Sequence, residues 1–110
     1  MVSANLTNAV RKAVYKRDGY ACALCGSPRG LQVHHVVPRS EGGTDFPHNL
    51  ITLCWRCHAV AHGTRMPEYA DWMDQDELRQ ACVEYVADYY ASMSLLWNPW
   101  EENMQTIARV

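Results

Sequence analysis

Residues 31–63 read LQVHHVVPRSEGGTDFPHNLITLCWRCHAVAHG, and this stretch decides the fold. Leu31 to Val37 is apolar and β-branched enough to form a strand. Pro38 to Asn49 is a loop, punctuated by Gly42-Gly43 and Pro47. Leu50 to Leu53 is a second short strand. Cys54 opens a helix that runs to about His62 and stops at Gly63. The order is strand, loop, strand, helix.

Two CxxC pairs bracket the hairpin. Cys22 and Cys25 lie in a compact turn region, Tyr20 to Gly30, where Gly26, Pro28 and Gly30 suit a zinc knuckle. Cys54 and Cys57 follow the second strand. One CxxC turn places two thiolates on one side of a zinc ion, and a second completes the tetrahedron. The 28 residues between the pairs exceed the spacing of a simple zinc ribbon, which a hairpin between them explains. The spacing therefore predicts a structural zinc held by Cys22, Cys25, Cys54 and Cys57. Two reduced core pairs or a redox dithiol are the competing readings, and a βαβ setting for the latter is absent. The fifth thiol, Cys82, lies apart and reads as a buried helix residue.

The imidazoles suggest a second site. His58 and His62 are four apart on the helix and share a face. Two imidazoles at that spacing can ligate one divalent ion. His34 and His35 end the first strand, where successive side chains alternate between faces. One of them can join His58 and His62 around a metal while the other serves as a base. An imidazole near its ordinary pKa of about 6.5 accepts a proton from water at neutral pH. His48 reads as a solvated loop residue.

The rest of the chain is read around this centre. Its 110 residues make one small domain, or one domain with an appendage, and such chains often need a metal staple. Residues 7–17, TNAVRKAVYKR, read as a helix capped by Thr7 and broken at Asp18-Gly19. Met1 to Asn8 is polar and lacks the apolar core of a signal peptide. No apolar run reaches the ~18 residues that a span needs, so no membrane is expected and a cytoplasmic place is. Reduced thiols there favour metal over disulfide.

Charge is divided unevenly. The net charge is −2, yet residues 1–65 carry eight basic and three acidic side chains, while 66–110 carry two and nine. The basic part holds the His/Cys cluster and suits a polyanion. The acidic part reads as helical. Asp74 with Glu77 three residues on is a capping box. Leu78, Cys82, Tyr85, Tyr89, Met93 and Leu96 then form one apolar stripe, ended by Asn98-Pro99. A separate short helical turn is expected over Pro67 to Met73.

RDGYACALC (17–25), VHHVVPRSEGG (33–43) and NLITLCWRCHAVAHG (49–63) together resemble the HNH endonucleases, in their zinc-bound, four-cysteine ββα-metal form. The resemblance covers about residues 11–63. It implies a ββα-metal core clamped by the four-cysteine zinc site, and says nothing of residues 66–110. With the helices read above, the expected fold is α+β, a core over residues 1–65 that includes the N-terminal helix and a C-terminal helical extension over residues 66–110. By motif position His35 would be the general base and His34 a ligand of the catalytic metal. Asn49 would pin the loop and orient the base, and His58 would be a second metal ligand. His62 matches an additional helix histidine of colicin-type members and would ligate too.

The implied activity is hydrolysis of double-stranded DNA by one divalent ion (Mg, Mn, Ni or Zn), nicking or cutting both strands with little sequence preference. No further carboxylate cluster is available for a second ion, Asp45 being the nearest acid in the loop. Arg39, after the motif proline, is placed to meet a phosphate, with Arg17, Lys16 and Arg56 as further candidates. The acidic segment, with Trp72, Trp97 and Trp100, can pack back on the core. It could instead bind a protein partner or a second copy, as beside phage packaging proteins, or mimic DNA. A non-catalytic zinc-clamped DNA-binding module is the alternative, and it leaves the histidine pair unexplained. A thiol redox or zinc-storage protein leaves it unexplained too.

Overall fold

β1 (Gln32–His35) and β2 (Leu50–Leu53) form an antiparallel pair with Gln32 opposite Leu53 and His35 opposite Leu50. These come from a computed structural model that describes residues 6–64 and 73–107. All of β2 is buried, as a continuous apolar run with cover on both faces should be. Its side chains alternate. Leu50 packs with Leu6 and Val14, beneath the first helix, α1 (Asn8–Arg17). Ile51 and Leu53 enter the main core with Val60, Leu78, Cys82 and Val86. Thr52 faces the Leu50 side, and its buried hydroxyl has no hydrogen-bond partner.

The caps expected at Thr7 and at Asp74 with Glu77 are present, and Cys54 supplies a third. Thr7 Oγ1 accepts the Val10 N–H at 3.1 Å at the head of α1. Cys54 caps α2 (Trp55–Ala61), its sulfur accepting the Cys57 N–H at 3.5 Å. Asp74 and Glu77 form a reciprocal capping box on α3 (Gln75–Ala91). These bonds satisfy donors that a helix start otherwise leaves orphaned.

The acidic segment departs from expectation at its far end. The stripe through Leu78 and Cys82 continues as Val86 and Tyr90, while Tyr89, Met93 and Leu96 are exposed. α3 ends at Ala91, well before Asn98-Pro99. Ser94 sits in the left-handed region at φ 61°, which breaks the helical phase and starts β3 (Leu95–Leu96), paired with β4 (Gln105–Thr106). The turn expected over 67–73 falls, but for Met73, outside the described residues. So do Trp72 and the 65/66 boundary.

The segment after β3 straps the 38–49 loop. Trp97 Nε1 donates to the His48 carbonyl at 2.6 Å. Thr44 donates from both its N–H (3.1 Å) and its hydroxyl (2.9 Å) to the Pro99 carbonyl. His48 is therefore not a solvated loop residue. It is 5% exposed, with Nε2 at 2.7 Å from the Glu101 carbonyl and its ring stacked on Phe46.

A buried carboxylate ties three elements together. Asp18, its side chain fully buried, accepts from the Thr52 N–H of β2 and the Tyr85 hydroxyl of α3, each at 2.9 Å. Arg17 donates to both of its oxygens, at 2.8 and 2.9 Å.

Candidate functional site

The four hairpin thiols converge. One ligand atom from each of Cys22, Cys25, Cys54 and Cys57 lies within 4.8 Å of the others, and none is in a disulfide. Local chain geometry sets this up. Gly26 N–H donates to the Cys22 carbonyl at 2.9 Å, closing the first knuckle, and the helix cap at Cys54 makes the second. Hydrogen bonding from Cys57, then from backbone N–H groups, pulls the Cys22 thiol well down against the effect of burial. Burial pushes the Cys25 thiol up. Four clustered sulfurs with a stabilised thiolate fit zinc. Cys82, by contrast, is pushed up to about 12 by burial and stays an inert thiol in the core.

His34 lies opposite Ile51 and so faces the α2 side of the hairpin. There it meets His58 and His62 at ring-centroid distances of 5.4 and 5.3 Å. His58 and His62, one turn apart, bring their Nε2 atoms to 3.1 Å. The ligand atoms of the three rings all lie within 4.8 Å of one another. Burial first, then the neighbouring imidazoles and Arg79, lower the His34 pKa to about 3. Burial and His62 lower that of His58. Both rings therefore keep the neutral, lone-pair form that a metal requires. His62 is also the C-cap residue of α2, so its backbone and its ring have separate tasks.

His35, one residue on, turns to other partners. Its Nε2 is 2.7 Å from Asp45 Oδ1. Arg39 clamps the same carboxylate through Nε and Nη2, both at 2.8 Å. That clamp, and secondarily His35, holds the Asp45 carboxyl below the usual range. An ionised carboxylate only accepts, so the nitrogen facing it, Nε2, is the one that carries a hydrogen, and in the neutral ring the lone pair lies on Nδ1.

Asn49 locks the loop that brings Asp45 into place. It is fully buried. Its Oδ1 accepts the Val37 N–H at 2.9 Å, and its Nδ2 donates to the Val37 carbonyl at 3.0 Å and the Thr44 carbonyl at 2.8 Å. Gly43 is required where the loop closes: a Cβ there would stand 1.9 Å from the Val37 carbonyl oxygen.

The two histidine groups open on one groove of about 510 Å³. Arg11, Arg39 and Arg79 line it with His34, His35, His58 and His62, and no carboxylate among the described residues does. The expected phosphate contacts sort differently in this setting. Arg39 is at the groove but paired with Asp45. Lys16 and Arg56 lie outside the groove lining, and Arg56 lies 5.2 Å over the Trp55 ring. Arg17 is a correction. Its side chain is 6% exposed, and its guanidinium is ion-paired with Asp18 and donates to the carbonyls of Pro47 (2.8 Å) and Leu50 (2.6 Å) and to Tyr90 Oη (3.1 Å). It braces the fold and has no face left for a phosphate. Sequence reasoning missed the His35–Asp45 pair and the entry of Arg11 and Arg79 into the groove. The only sequence signal for Arg79 is its sign, one of two cations among nine acids in its segment.

The family model of the HNH endonucleases matches residues 22–63. The chain is 36% identical over 53 residues to anaredoxin of Nostoc sp. strain PCC 7120, covering 47% of this chain and 70% of that protein. It is 50% identical over 32 residues to the type IV methyl-directed restriction enzyme EcoKMcrA of Escherichia coli K12, covering 29% of this chain and 12% of that enzyme. It is 46% identical over 33 residues to the probable mobile endonuclease C of phage T4, covering 30% of this chain and 16% of that protein. The chain thus spans well under two thirds of those two nucleases.

Proposed function

The chain belongs to the HNH endonuclease family, and on that premise we propose that it is a metal-dependent DNA endonuclease hydrolysing phosphodiester bonds. One observation carries the reading: a three-imidazole cluster and a carboxylate-held histidine share one arginine-lined groove. A stretch of duplex backbone is the ligand this lining favours. Its phosphates would meet guanidinium groups and neutral imidazoles.

In this reading His35 is the general base. Its Nδ1 takes the proton from a water that attacks phosphorus, while Asp45 keeps the opposite nitrogen protonated and the ring aimed. Asn49 holds the loop that carries Asp45. His34, His58 and His62 would hold one divalent ion, which supplies charge stabilisation at the phosphoryl group and the leaving 3′ oxygen. Cys22, Cys25, Cys54 and Cys57 would hold a structural zinc that fixes α2 against the hairpin. Backbone contacts of this kind carry no sequence information, so cleavage is of low specificity, one strand per event at one site per chain. The phage T4 relative supports a phage setting, in which a packaging partner could dock on residues 66–110.

The test is plasmid relaxation with Mg, Mn, Ni or Zn, run beside His35→Ala shown to retain zinc. Wild-type cleavage that falls by roughly 10²–10⁴ in the variant supports the base assignment. Failure with every metal by a zinc-loaded protein that binds DNA would instead favour a binding module.

A further inference from the structure

Arg79 is the one described cation of the acidic segment, and α3 directs it into the groove of the histidine cluster. Gln75 and Arg79, one turn apart on α3, both reach the Ala61 carbonyl, Nε2 at 3.1 Å and Nε at 3.3 Å. Ala61 is the last residue of α2, so its carbonyl is an orphan acceptor at the negative end of the helix. Docking through Nε fixes the guanidinium plane, and its two terminal nitrogens, which have no hydrogen-bond partner among the described residues, can act as a fork. No carboxylate forms an ion pair with Arg79 among the described residues. The contrast with the other arginines is clear: Arg17 is consumed by the fold, and Arg39 is clamped by Asp45.

We infer that Arg79 is a substrate-binding residue that grips a phosphate of the DNA strand beside His34, His58 and His62, so that the acidic segment completes the site. This rests on the nuclease reading above. The competing role is structural only, a cap on the C-terminus of α2.

The experiment uses the full chain, its zinc content and melting temperature checked, as wild type, Arg79→Gln and Arg79→Lys. Binding to a short DNA duplex is measured by fluorescence anisotropy across a salt series with no added divalent ion. Arg79→Gln is expected to weaken binding about tenfold at low salt and to reduce the slope of log affinity against log salt by about one. Arg79→Lys keeps the slope, because the charge remains, and loses part of the affinity with the fork. A lower melting temperature with unchanged affinity and slope in Arg79→Gln reduces Arg79 to a cap and overturns the inference. If Arg79→Gln fails to hold zinc, Arg79→Lys decides, and an affinity unchanged from wild type there overturns it. Wild type that binds no DNA overturns this inference and the nuclease reading together. Wild type and Arg79→Gln that bind equally well overturn this inference alone.

Discussion

His35 Nε2 and Asp45 Oδ1 lie 2.7 Å apart, across the loop that Asn49 pins shut. The contact decides which nitrogen of the proposed base is free. Asp45→Asn weakens the Arg39 clamp and removes the constraint on the tautomer. Cleavage should fall roughly tenfold in kcat with little change in KM, part of the ~10²–10⁴ a placed base supplies. Unchanged kcat in a metal titration would show that Asp45 does not govern the ring.

Gly43→Ala should disable the loop without releasing zinc. A Cβ would meet the Val37 carbonyl oxygen at 1.9 Å and Asn49 Nδ2 at 2.8 Å, so backbone must move. Overpacking of this kind costs about 1–3 kcal/mol. The melting temperature should drop and cleavage should fall more than stability does. Wild-type behaviour in both assays would mean that the loop closes differently.

Asp18→Asn tests the buried brace. The substitution leaves Arg17, its side chain 6% exposed, without its counter-charge. It also puts an amide where two donors now find acceptors. Breaking one side of such a buried pair costs ~3–5 kcal/mol. Urea unfolding should show most of that loss. A change under about 1 kcal/mol would place the Arg17 charge in water rather than in the core.

Removing the zinc proposed for the four thiols should unfold the chain. Cys25 is exposed, so a strong chelator can reach the four-sulfur cluster. Structural zinc is worth about 10 kcal/mol or more in small domains, which exceeds what a core this size supplies alone. Chelation should abolish the cooperative thermal transition, and zinc should restore it. A metal-free chain with an unchanged transition would remove the clamp from the account.

Acid should begin to weaken the protein above the carboxylate range, when no divalent ion is added to the histidine cluster. His34 has a folded pKa of about 3 against an ordinary value of 6.5, and that of His58 is also lowered. The unfolded chain therefore binds more protons than the folded chain across that interval. The stabilisation is whole above about pH 6.5 and drains away as pH falls toward about 3. Urea midpoints should decline through that window, and His34→Asn should flatten the decline. A flat wild-type profile would show that the cluster protonates freely.

Much of the site was legible because its chemistry is local. Thr7, Asp74 and Glu77 announce helix starts through bonds that span three residues. The CxxC turns and the His58/His62 spacing place ligands by the geometry of one turn. The bounds of β2 follow from four successive apolar or β-branched residues between Asn49 and Cys54. Reading Met93 and Leu96 as core failed because a helical stripe predicts a face only while the helix lasts, and Tyr89 failed because the buried face of α3 runs through Leu78, Cys82, Val86 and Tyr90, one position to its side. Ser94, at positive φ, carries no side-chain signature of a stop.

By itself the sequence determined the hairpin, its flanking thiol pairs and the histidines around them, since each depends on residue type and short spacing. Only the tertiary structure decided which polar groups are consumed and which are free. Arg17 is spent on Pro47, Leu50 and Tyr90, up to 73 positions away. His48 is buried under Trp97 and Glu101. Arg79 is carried by α3 to the end of α2. A surface-type side chain in an acidic or basic run looks the same in sequence whether or not a distant segment folds over it. Contacts of that range set its burial, its partners and so its role.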